Sequence, residues 1–404
     1  MEEEFAAQGS LLDCVAFPRE PSLHITSQDG EQRMLANRIR WIERTLGAAI
    51  IARRCRTRIK RISKHLPIVE LPNLKSAIRD RFGGYSFGVW HQVYAAANGQ
   101  ASVDYLPEDI FYNVFENRLN PRLRKEVYKD KNHYDRLNWS CLPPTIFRII
   151  NGRLFDANYR MIEVQTALEL ARASDVSEFV VKPTRDTSGG AGIRFLNQAG
   201  LSAFIAPNLK SQSDWIIQHP VIQHEAMADL HPHSVSTIRI VTLRMGTEIS
   251  AVSSIVRIGA GESRVANVSA SNGIAVGIQR DGRLRDFGCN HKLQRLTEHP
   301  DRKYALDQVV IPSFGLVQTT CIELHQTIPE LDLISWDMAI DQRGSPVVLE
   351  FNIRRQDINY NQVCNGPVLG PYIDEVLERH KWRVIPGIGA IDGVMDLAPT
   401  TIAP

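Results

Sequence analysis

Hydrophobic positions recur at helical spacing in some stretches of the chain and alternate with polar positions in others. Residues 36–67 carry isoleucine and leucine near helical intervals, and residues 71–98 form a second helical region. From residue 117 to the end of the 370s, helical patterns alternate with short apolar strands, which is typical of an α+β fold. We therefore expect a helical N-terminal region (1–110), two α+β parts (111–217 and 218–380) and a Gly- and Pro-rich extended tail (381–404).

One alternating stretch, Trp336 to Asn352, reads "WDMAIDQRGSPVVLEFN" and predicts a β-hairpin. We place its turn between Arg343 and Gly344, because "DQRGSP" interrupts the apolar pattern there. This register sets Asp337 opposite Glu350 on one face of the hairpin. The other predicted pairs form an apolar inner face: Trp336 with Phe351, Met338 with Leu349 and Ile340 with Val347.

The polar face of this hairpin predicts a metal site. Asp337 and Glu350 would be directly opposed, and like charges with Cβ atoms only ~5 Å apart destabilise a strand pair. A divalent cation removes that repulsion, and Mg²⁺ takes oxygen ligands from one or two carboxylates together with a substrate phosphate. Asn352 follows Glu350 by two residues on the same strand, so the two side chains point to the same face. The alternative that the hairpin alone leaves open is a solvated polar face.

A second stretch, "EFVVKPTRDTSGGAGIRFL" (Glu178 to Leu196), predicts a phosphate-binding loop. Its first strand stops at Pro183 and delivers Lys182 at its end. The loop from Ser188 to Gly192 can approach a ligand closely and offer backbone N–H groups to phosphate oxygens. A strand follows this loop and G-K-[ST] is absent, so it is not a P-loop. An ordinary hairpin turn is the alternative.

Composition narrows the class of protein. The 404 residues are 43% hydrophobic and 23% charged with net charge +2, which gives no argument for nucleic acid or a membrane. Six scattered cysteines without a C-x-x-C pair fit reduced thiols, and the histidines lack recognised zinc spacing. The acidic start does not resemble a signal peptide, so we expect a cytoplasmic protein. The basic run Arg53–Lys64 is interpreted as a solvated helix face, with membrane-surface contact as the alternative.

The lysine strand, the glycine loop and the acidic hairpin together resemble the ATP-grasp superfamily, and more narrowly its sugar-transfer-associated branch. The resemblance covers roughly Asn117 to His380. It implies an ATP-grasp fold in which a lid subdomain (111–217) and a metal and catalytic subdomain (218–380) hold ATP. It also implies Mg²⁺, as one or two ions that Mn²⁺ can replace. The implied metal ligands are Asp337, Glu350 and Asn352, and the implied ATP contacts are Lys131 (with Lys129 as a rival), Lys182, Ser188, Gly189, Gly190, Gly192, Gln218, Val221 and Glu225.

Two arginines match further family positions. "SVSTIRIVTLR" (Ser234 to Arg244) resembles the family's Thr-x-Arg strand and supplies Arg239, while Arg257 matches the next family stretch. A strand arginine beside phosphates can neutralise charge on a transferred phosphoryl group. The resemblance therefore implies catalytic roles for Arg239, Arg257 and Lys182, with a structural ion pair as the alternative for Arg239.

The acceptor end of the site departs from the family pattern. Asn267 is matched, but Ala266 stands where the family usually has an aspartate, which weakens the case for a second metal or a substrate amine there. Arg354 and Arg355 replace a Pro-Gly turn, whereas Gln362 is kept. These residues suggest an acidic substrate, although the arginines would equally brace the strand.

The resemblance implies an ATP-dependent, ADP-forming carboxylate–amine ligase that works through an acyl phosphate. Its partners would be ATP, a carboxylate and a nucleophilic amine, with no nucleic acid. The branch name associates the chain with polysaccharide, glycoconjugate or natural-product biosynthesis. A small-molecule kinase and a non-catalytic ATP-binding scaffold at a membrane are the alternatives.

Overall fold

The structure is a computed structural model that describes residues 28–67, 69, 74–82, 88–185, 189–211, 213–379, 382–385 and 389–392. None of the helices in these ranges is long and apolar enough to cross a membrane. The α-helices are α1 (Gln28–Ser63), α2 (Leu74–Arg81), α3 (Val89–Asn98), α4 (Glu108–Ile110), α5 (Glu116–Leu119), α6 (Arg122–Lys125), α7 (Val164–Ala173), α8 (Gln198–Lys210), α9 (Glu225–Ala228), α10 (Phe314–Gln326), α11 (Ile358–Asn365) and α12 (Ile373–Arg379).

The strands are β1 (Thr145–Ile150), β2 (Arg153–Asp156), β3 (Met161–Ile162), β4 (Phe179–Pro183), β5 (Arg194–Leu196), β6 (Trp215–Gln218), β7 (Thr237–Met245), β8 (Glu248–Ile258), β9 (Ile274–Ile278), β10 (Leu284–Cys289), β11 (Arg295–Leu296), β12 (Leu333–Ile340), β13 (Pro346–Asn352), β14 (Trp382–Ile385) and β15 (Gly389–Asp392). A π-helical turn, Phe111–Phe115, joins α4 to α5. Short 3₁₀ turns lie at Glu126–Tyr128, Lys131–Leu137, Leu306–Gln308 and Gly370–Tyr372.

The chain divides into two units, residues 1–47 and 48–404. In the first unit, the described residues 28–47 are helical. The predicted helix over 36–67 is confirmed for most of its length, but α1 begins at Gln28 and ends at Ser63. The second predicted helical region, 71–98, consists of two helices, α2 and α3.

The basic run in α1 is only partly a solvated face. Arg56 Nε lies 3.1 Å from Asp109 Oδ2, and Arg58 Nη1 lies 2.9 Å from Glu108 Oε1. Both carboxylates are buried at the start of α4. The solvated interpretation is therefore wrong for these two arginines, because buried carboxylates require cationic partners. The preceding pair of arginines, residues 53–54, is exposed as expected.

The first sheet is antiparallel, with strand order β3-β2-β1-β6-β4-β5. Its apolar side chains pack with α7 and α8 into one core, in which Phe147, Phe179 and Ile217 are fully buried. Within β4, Val181 faces this core, whereas the next residue, Lys182, points to the other side of the sheet. The sheet thus holds Lys182 at the end of a rigid strand, as the sequence predicted.

The second sheet is also antiparallel, with strand order β11-β10-β9-β8-β7-β12-β13. Here Asp337 on β12 pairs with Glu350 on β13, as predicted, and with Arg239 on β7. The pairing of Trp336 with Phe351 is also confirmed. One row of neighbouring strands therefore carries an arginine, an aspartate and a glutamate side by side.

The predicted register beyond Asp337 is wrong. The register shifts between Asp337 and Met338, so Met338 pairs with Val348 and Ile340 with Pro346, rather than with Leu349 and Val347. An extra residue in one strand of an antiparallel pair is a β-bulge, which bends the strand and re-aims a side chain. Leu349 is that extra residue, and it lines the cavity described below.

Two further strands, β14 and β15, pair as an antiparallel hairpin within the segment predicted to be an extended tail (381–404). The remainder of that segment lies outside the described residues.

Candidate functional site

Asp337 is the most heavily contacted carboxylate of the acidic hairpin. Its Oδ1 accepts from Arg239 Nε at 2.8 Å and its Oδ2 from Arg239 Nη2 at 2.9 Å, a bidentate pair. Arg257 Nη2 lies 2.6 Å from Oδ1, and Asn352 Nδ2 donates to Oδ2 at 3.0 Å. Burial alone would raise the pKa of Asp337, but the two arginines hold it well below its usual range. Asp337 is therefore an anion held by three donor side chains.

Glu350 has a different partner. Its Oε1 lies 2.7 Å from Lys131 Nζ, and the glutamate side chain is 31% exposed. The rival lysine, Lys129, instead pairs with Glu126 at 2.5 Å. The two opposed carboxylates that predicted a metal are thus each neutralised by protein cations, and Lys131 is the lysine that reaches the hairpin.

Lys182 lies near Lys131 in the same cavity. Burial, and after it the positive charge of Lys131, lower the pKa of Lys182 to about 8 against the opposing effect of Glu350. An anion placed between Lys182 and Lys131 would stabilise the charged form of Lys182. This arrangement suits a phosphate group.

The glycine loop packs against the second sheet's long connection between β8 and β9. Gly189 and Gly190 have φ of +65° and +77°, which favours glycine. A Cβ at Gly189 would lie 3.1 Å from Asn267 Nδ2, and one at Gly190 would lie 3.3 Å from Val265 Cγ1. The loop backbone therefore approaches residues 265–267 closely. Ser188, predicted to bind ATP, lies outside the described residues.

These groups surround one cavity of about 270 Å³. Its apolar wall includes Val180, Phe195, Val221 and Leu349. Six cationic side chains line it against three carboxylates: Lys131, Lys182, Arg239, Arg257, Arg264 and Arg355, with Asp337, Glu350 and Asp357. The excess of three positive charges attracts a polyanion, since a cleft lined by one sign of charge concentrates ligands of the opposite sign.

Most of the predicted site residues line this cavity together. From the predicted sets it brings together Lys131, Lys182, Gly189, Gly190, Val221, Arg239, Arg257, Asn267, Asp337, Glu350, Asn352 and Arg355.

Other predicted residues lie elsewhere. Gln218 is buried and donates Nε2 to the carbonyl oxygen of Pro143 at 3.2 Å. Glu225 and Arg354 are exposed and are not among the residues that line the cavity. Gly192 packs against Pro183 instead, because a Cβ there would lie 2.7 Å from the proline Cγ.

Gln362 also has a different place from the predicted one. It is fully buried in α11, where Oε1 accepts from Leu106 N at 2.8 Å and Nε2 donates to Leu106 O at 2.9 Å. Both ends of the amide are therefore used by the backbone of Leu106, which gives no support to a substrate contact.

Sequence reasoning missed two charged residues of the cavity. Arg264 reaches Glu178 with Nη1 at 2.7 Å and Nη2 at 2.5 Å, and its guanidinium lies 3.9 Å from the Phe195 ring centroid. These contacts connect the β8–β9 loop to the residue before β4 and to β5. Asp357 lies five residues beyond Asn352. Its nearness in sequence to the hairpin was the one available signal.

The family model for sugar-transfer associated ATP-grasp proteins matches residues 206–378. This region is similar to sugar-transfer associated ATP-grasp proteins. The match contains β7, β8, β12 and β13, and with them the arginines and the acidic hairpin of the cavity. The first sheet, which carries Lys182, precedes the matched residues except for β6, and it forms one wall of the cavity.

Several solved structures are similar to part of the chain at low identity. They include the D-cycloserine synthetase DcsG (17% identity, 65% of this chain and 73% of that one, TM-score 0.37). The ATP-grasp ligase PsnB with its minimal precursor matches at 11% identity, over 65% of this chain and 64% of that one, with TM-score 0.36. A biotin carboxylase–ATP complex from Campylobacter jejuni matches at 10%, over 64% and 48%, with TM-score 0.40. No curated protein sequence matched the chain.

Proposed function

We propose that this ATP-grasp protein is an ATP- and Mg²⁺-dependent ligase that joins a carboxylate to an amine through an acyl phosphate. The observation that carries the proposal is the cavity in which Lys131, Lys182, Arg239 and Arg257 face the acidic hairpin. Four cations beside carboxylates and an amide suit a nucleotide triphosphate with its metal. The biosynthesis of a polysaccharide, glycoconjugate or other natural product is the setting we propose for it.

The polar side chains of the hairpin offer the oxygen ligands that Mg²⁺ prefers. Glu350 offers a partly exposed carboxylate to the cavity, and Asn352 lies two positions along the same strand face. Asp337 shares its oxygens with two arginines, so Glu350 and Asn352 would hold the ion most directly and Asp337 would complete the set. Mg²⁺ bound there would neutralise phosphate charge.

The protein's own groups would position the reacting phosphate. Lys131 and Lys182 would bind its oxygens as point charges, and the backbone of Gly189 and Gly190 would cover it. Arg239 and Arg257, fixed on Asp337, would face the carboxylate being activated. Because these donors are held before the reaction, they need no reorganisation when charge moves.

The proposed reaction has two steps. A carboxylate oxygen of the substrate attacks the γ-phosphorus of ATP, the bond to ADP breaks, and an acyl phosphate forms. The lone pair of the amine then attacks the acyl carbon, phosphate leaves with the bonding electrons, and the amine proton passes to solvent. The apolar wall around Val221 and Leu349 would exclude water that would otherwise hydrolyse the intermediate.

The test is an ADP-release screen of the full chain with Mg-ATP, carboxylates and hydroxylamine, followed by mass analysis of the products. Hydroxylamine is a small nucleophile that traps an acyl phosphate as a hydroxamate. We expect ADP and a hydroxamate for at least one carboxylate class, and loss of both in Glu350→Gln. Glu298→Gln is the matched control, because Glu298 pairs with Lys303 at 3.1 Å and does not line the cavity.

Two results would count against the ligase. A phosphorylated alcohol in place of the hydroxamate would identify a kinase. An absence of ADP release with every carboxylate, in a protein that binds Mg-ATP, would favour a non-catalytic role.

A further inference from the structure

The segment that follows β13 holds two residues in an uncommon backbone conformation. Arg355 and Asp357 have φ of 55° and 50°, the left-handed region that non-glycine residues seldom adopt. Gln356, between them, is buried and fixes the segment: its N donates to Glu116 Oε1 at 3.0 Å and its O accepts from Arg239 Nη1 at 3.2 Å. Arg355 and Asp357 both line the cavity as a result.

Asp357 differs from the other two carboxylates of the cavity. Asp337 accepts from three donor side chains and Glu350 pairs with a lysine. Asp357 Oδ1 is buried and, within the described part of the chain, has no hydrogen-bond partner. Its ion-pair partner is Arg58, whose Nη2 lies 3.6 Å away, beyond hydrogen-bond distance, while Nη1 of the same guanidinium lies 2.9 Å from Glu108.

Helix capping does not account for this carboxylate either. Asp357 stands at the N-cap of α11, a position where aspartate ordinarily accepts from backbone N–H groups of the first turn. Its side chain makes no such bond here. A buried carboxylate oxygen without a donor carries a desolvation cost, so a ligand that brings a donor is favoured.

The surroundings of Asp357 favour a compact cationic ligand. Tyr360 and Ser269 also line the cavity, and their hydroxyl groups lie 3.0 Å apart. Asp357 acts electrostatically on Arg239 and Arg257, which hold the place proposed for the acyl phosphate. Asp357 also acts electrostatically on Tyr360, so the carboxylate lies on the same side of the cavity as that hydroxyl group.

We propose that Asp357 binds the amine co-substrate as its ammonium ion, which gives up one proton to solvent before its lone pair attacks, and so determines the specificity of the second step for an amine that is charged in solution. The inference rests on the proposed ligase function and adds the recognition group to it. An ammonium brings donors for Oδ1 and for the hydroxyl pair beside it. An uncharged nucleophile gains much less from the same carboxylate.

The test compares Asp357→Asn, Asp357→Glu and wild type, using the carboxylate found in the hydroxylamine screen. The nucleophiles are the common amino acids, ethanolamine and putrescine, with hydroxylamine, uncharged near neutral pH, as the reference. Loss of a charge-assisted bond should raise the KM for the amine by roughly 10- to 100-fold in Asp357→Asn. The loss with hydroxylamine should be at least tenfold smaller, and Asp357→Glu should recover part of the amine affinity.

Asp374→Asn is the matched control, because Asp374 pairs with Arg81 at 2.5 Å and does not line the cavity. It should behave as wild type with every nucleophile. An equal loss with amines and hydroxylamine in Asp357→Asn would make Asp357 a structural partner of Arg58 and overturn the inference. A wild-type enzyme that forms hydroxamate but couples none of the amines would overturn it as well. Failure to form any hydroxamate would instead overturn the ligase proposal beneath it.

Discussion

Lys182→Met removes one charge from the cavity while keeping most of the apolar stem. β4 contributes Phe179 and Val181 to the core, whereas the Lys182 side chain points away from it into the cavity. Burial of its ammonium and repulsion by Lys131 outweigh the attraction of Glu350, so removal of the charge should not destabilise the folded protein. We therefore expect the variant to fold.

The expected loss is in ATP affinity. A charge-assisted contact to phosphate contributes about 1.5–3 kcal/mol, which corresponds to roughly 10- to 100-fold in Kd. Lys182→Arg should recover only part of this, because a planar guanidinium replaces a compact point charge.

The lowered pKa of Lys182 adds a pH dependence with a definite sign. With a pKa of about 8, the lysine of the free protein is charged at pH 7 and mostly neutral at pH 9. Phosphate binds the charged form, so the affinity for ATP falls as pH rises through about 8. The competent fraction drops about tenfold between pH 7 and pH 9, and the apparent Kd rises by roughly the same factor. Lys182→Arg stays charged and should lack this change.

Calorimetric titration of Mg-ATP into wild type, Lys182→Met and Lys182→Arg at both pH values measures these effects. Lys210→Met is the matched control, since Lys210 ends α8 and is exposed. Wild-type affinity in Lys182→Met at pH 7, or an identical pH dependence in Lys182→Arg, would refute the assignment of Lys182 to phosphate.

Four further substitutions separate structural from functional residues. Asp337→Asn should lower the free energy of unfolding in urea by about 3–5 kcal/mol, because two buried arginines lose their carboxylate; a loss below about 1 kcal/mol would contradict this. Gln362→Leu should lower the free energy of unfolding by about 1–3 kcal/mol for each polar group of Leu106 left unsatisfied. The KM for the carboxylate and the KM for the amine should not change. Arg355→Gln should raise the KM for the carboxylate in the ADP-release assay, whereas Arg354→Gln should not, and equal effects would contradict the placement of Arg355 alone in the cavity.

Alternation along the acidic hairpin was enough to predict the facing pair of Asp337 and Glu350, because period-two geometry determines which side chains share a face. The bulge at Leu349 was not predictable in the same way. A single inserted residue leaves a short alternating pattern compatible with more than one register. The register error therefore began beyond Asp337, on the turn side of the facing pair.

Partners that are distant in sequence account for the other differences. Arg58 and Glu108 are 50 residues apart in sequence. Nothing in the basic run indicated that one of its arginines would pair with a buried carboxylate. Gln362 bonds Leu106 across 256 residues. A polar residue in a helix gives no local sign of whether its amide faces a ligand or a distant backbone. Lys182 and the glycine loop were predictable because their strand, stop and loop are adjacent in sequence.

The most direct measurement is calorimetric titration of ATP into wild type and Glu350→Gln, each with and without Mg²⁺. Glu350 carries the partly exposed carboxylate of the hairpin, and Glu298→Gln provides the matched control. We predict that Mg²⁺ strengthens ATP binding in wild type and in Glu298→Gln, and that this gain is lost in Glu350→Gln. Two results would contradict a Mg-ATP site at the acidic hairpin. Either Mg²⁺ leaves the ATP affinity of wild type unchanged, or Mg²⁺ strengthens ATP binding by a folded Glu350→Gln variant as much as by wild type.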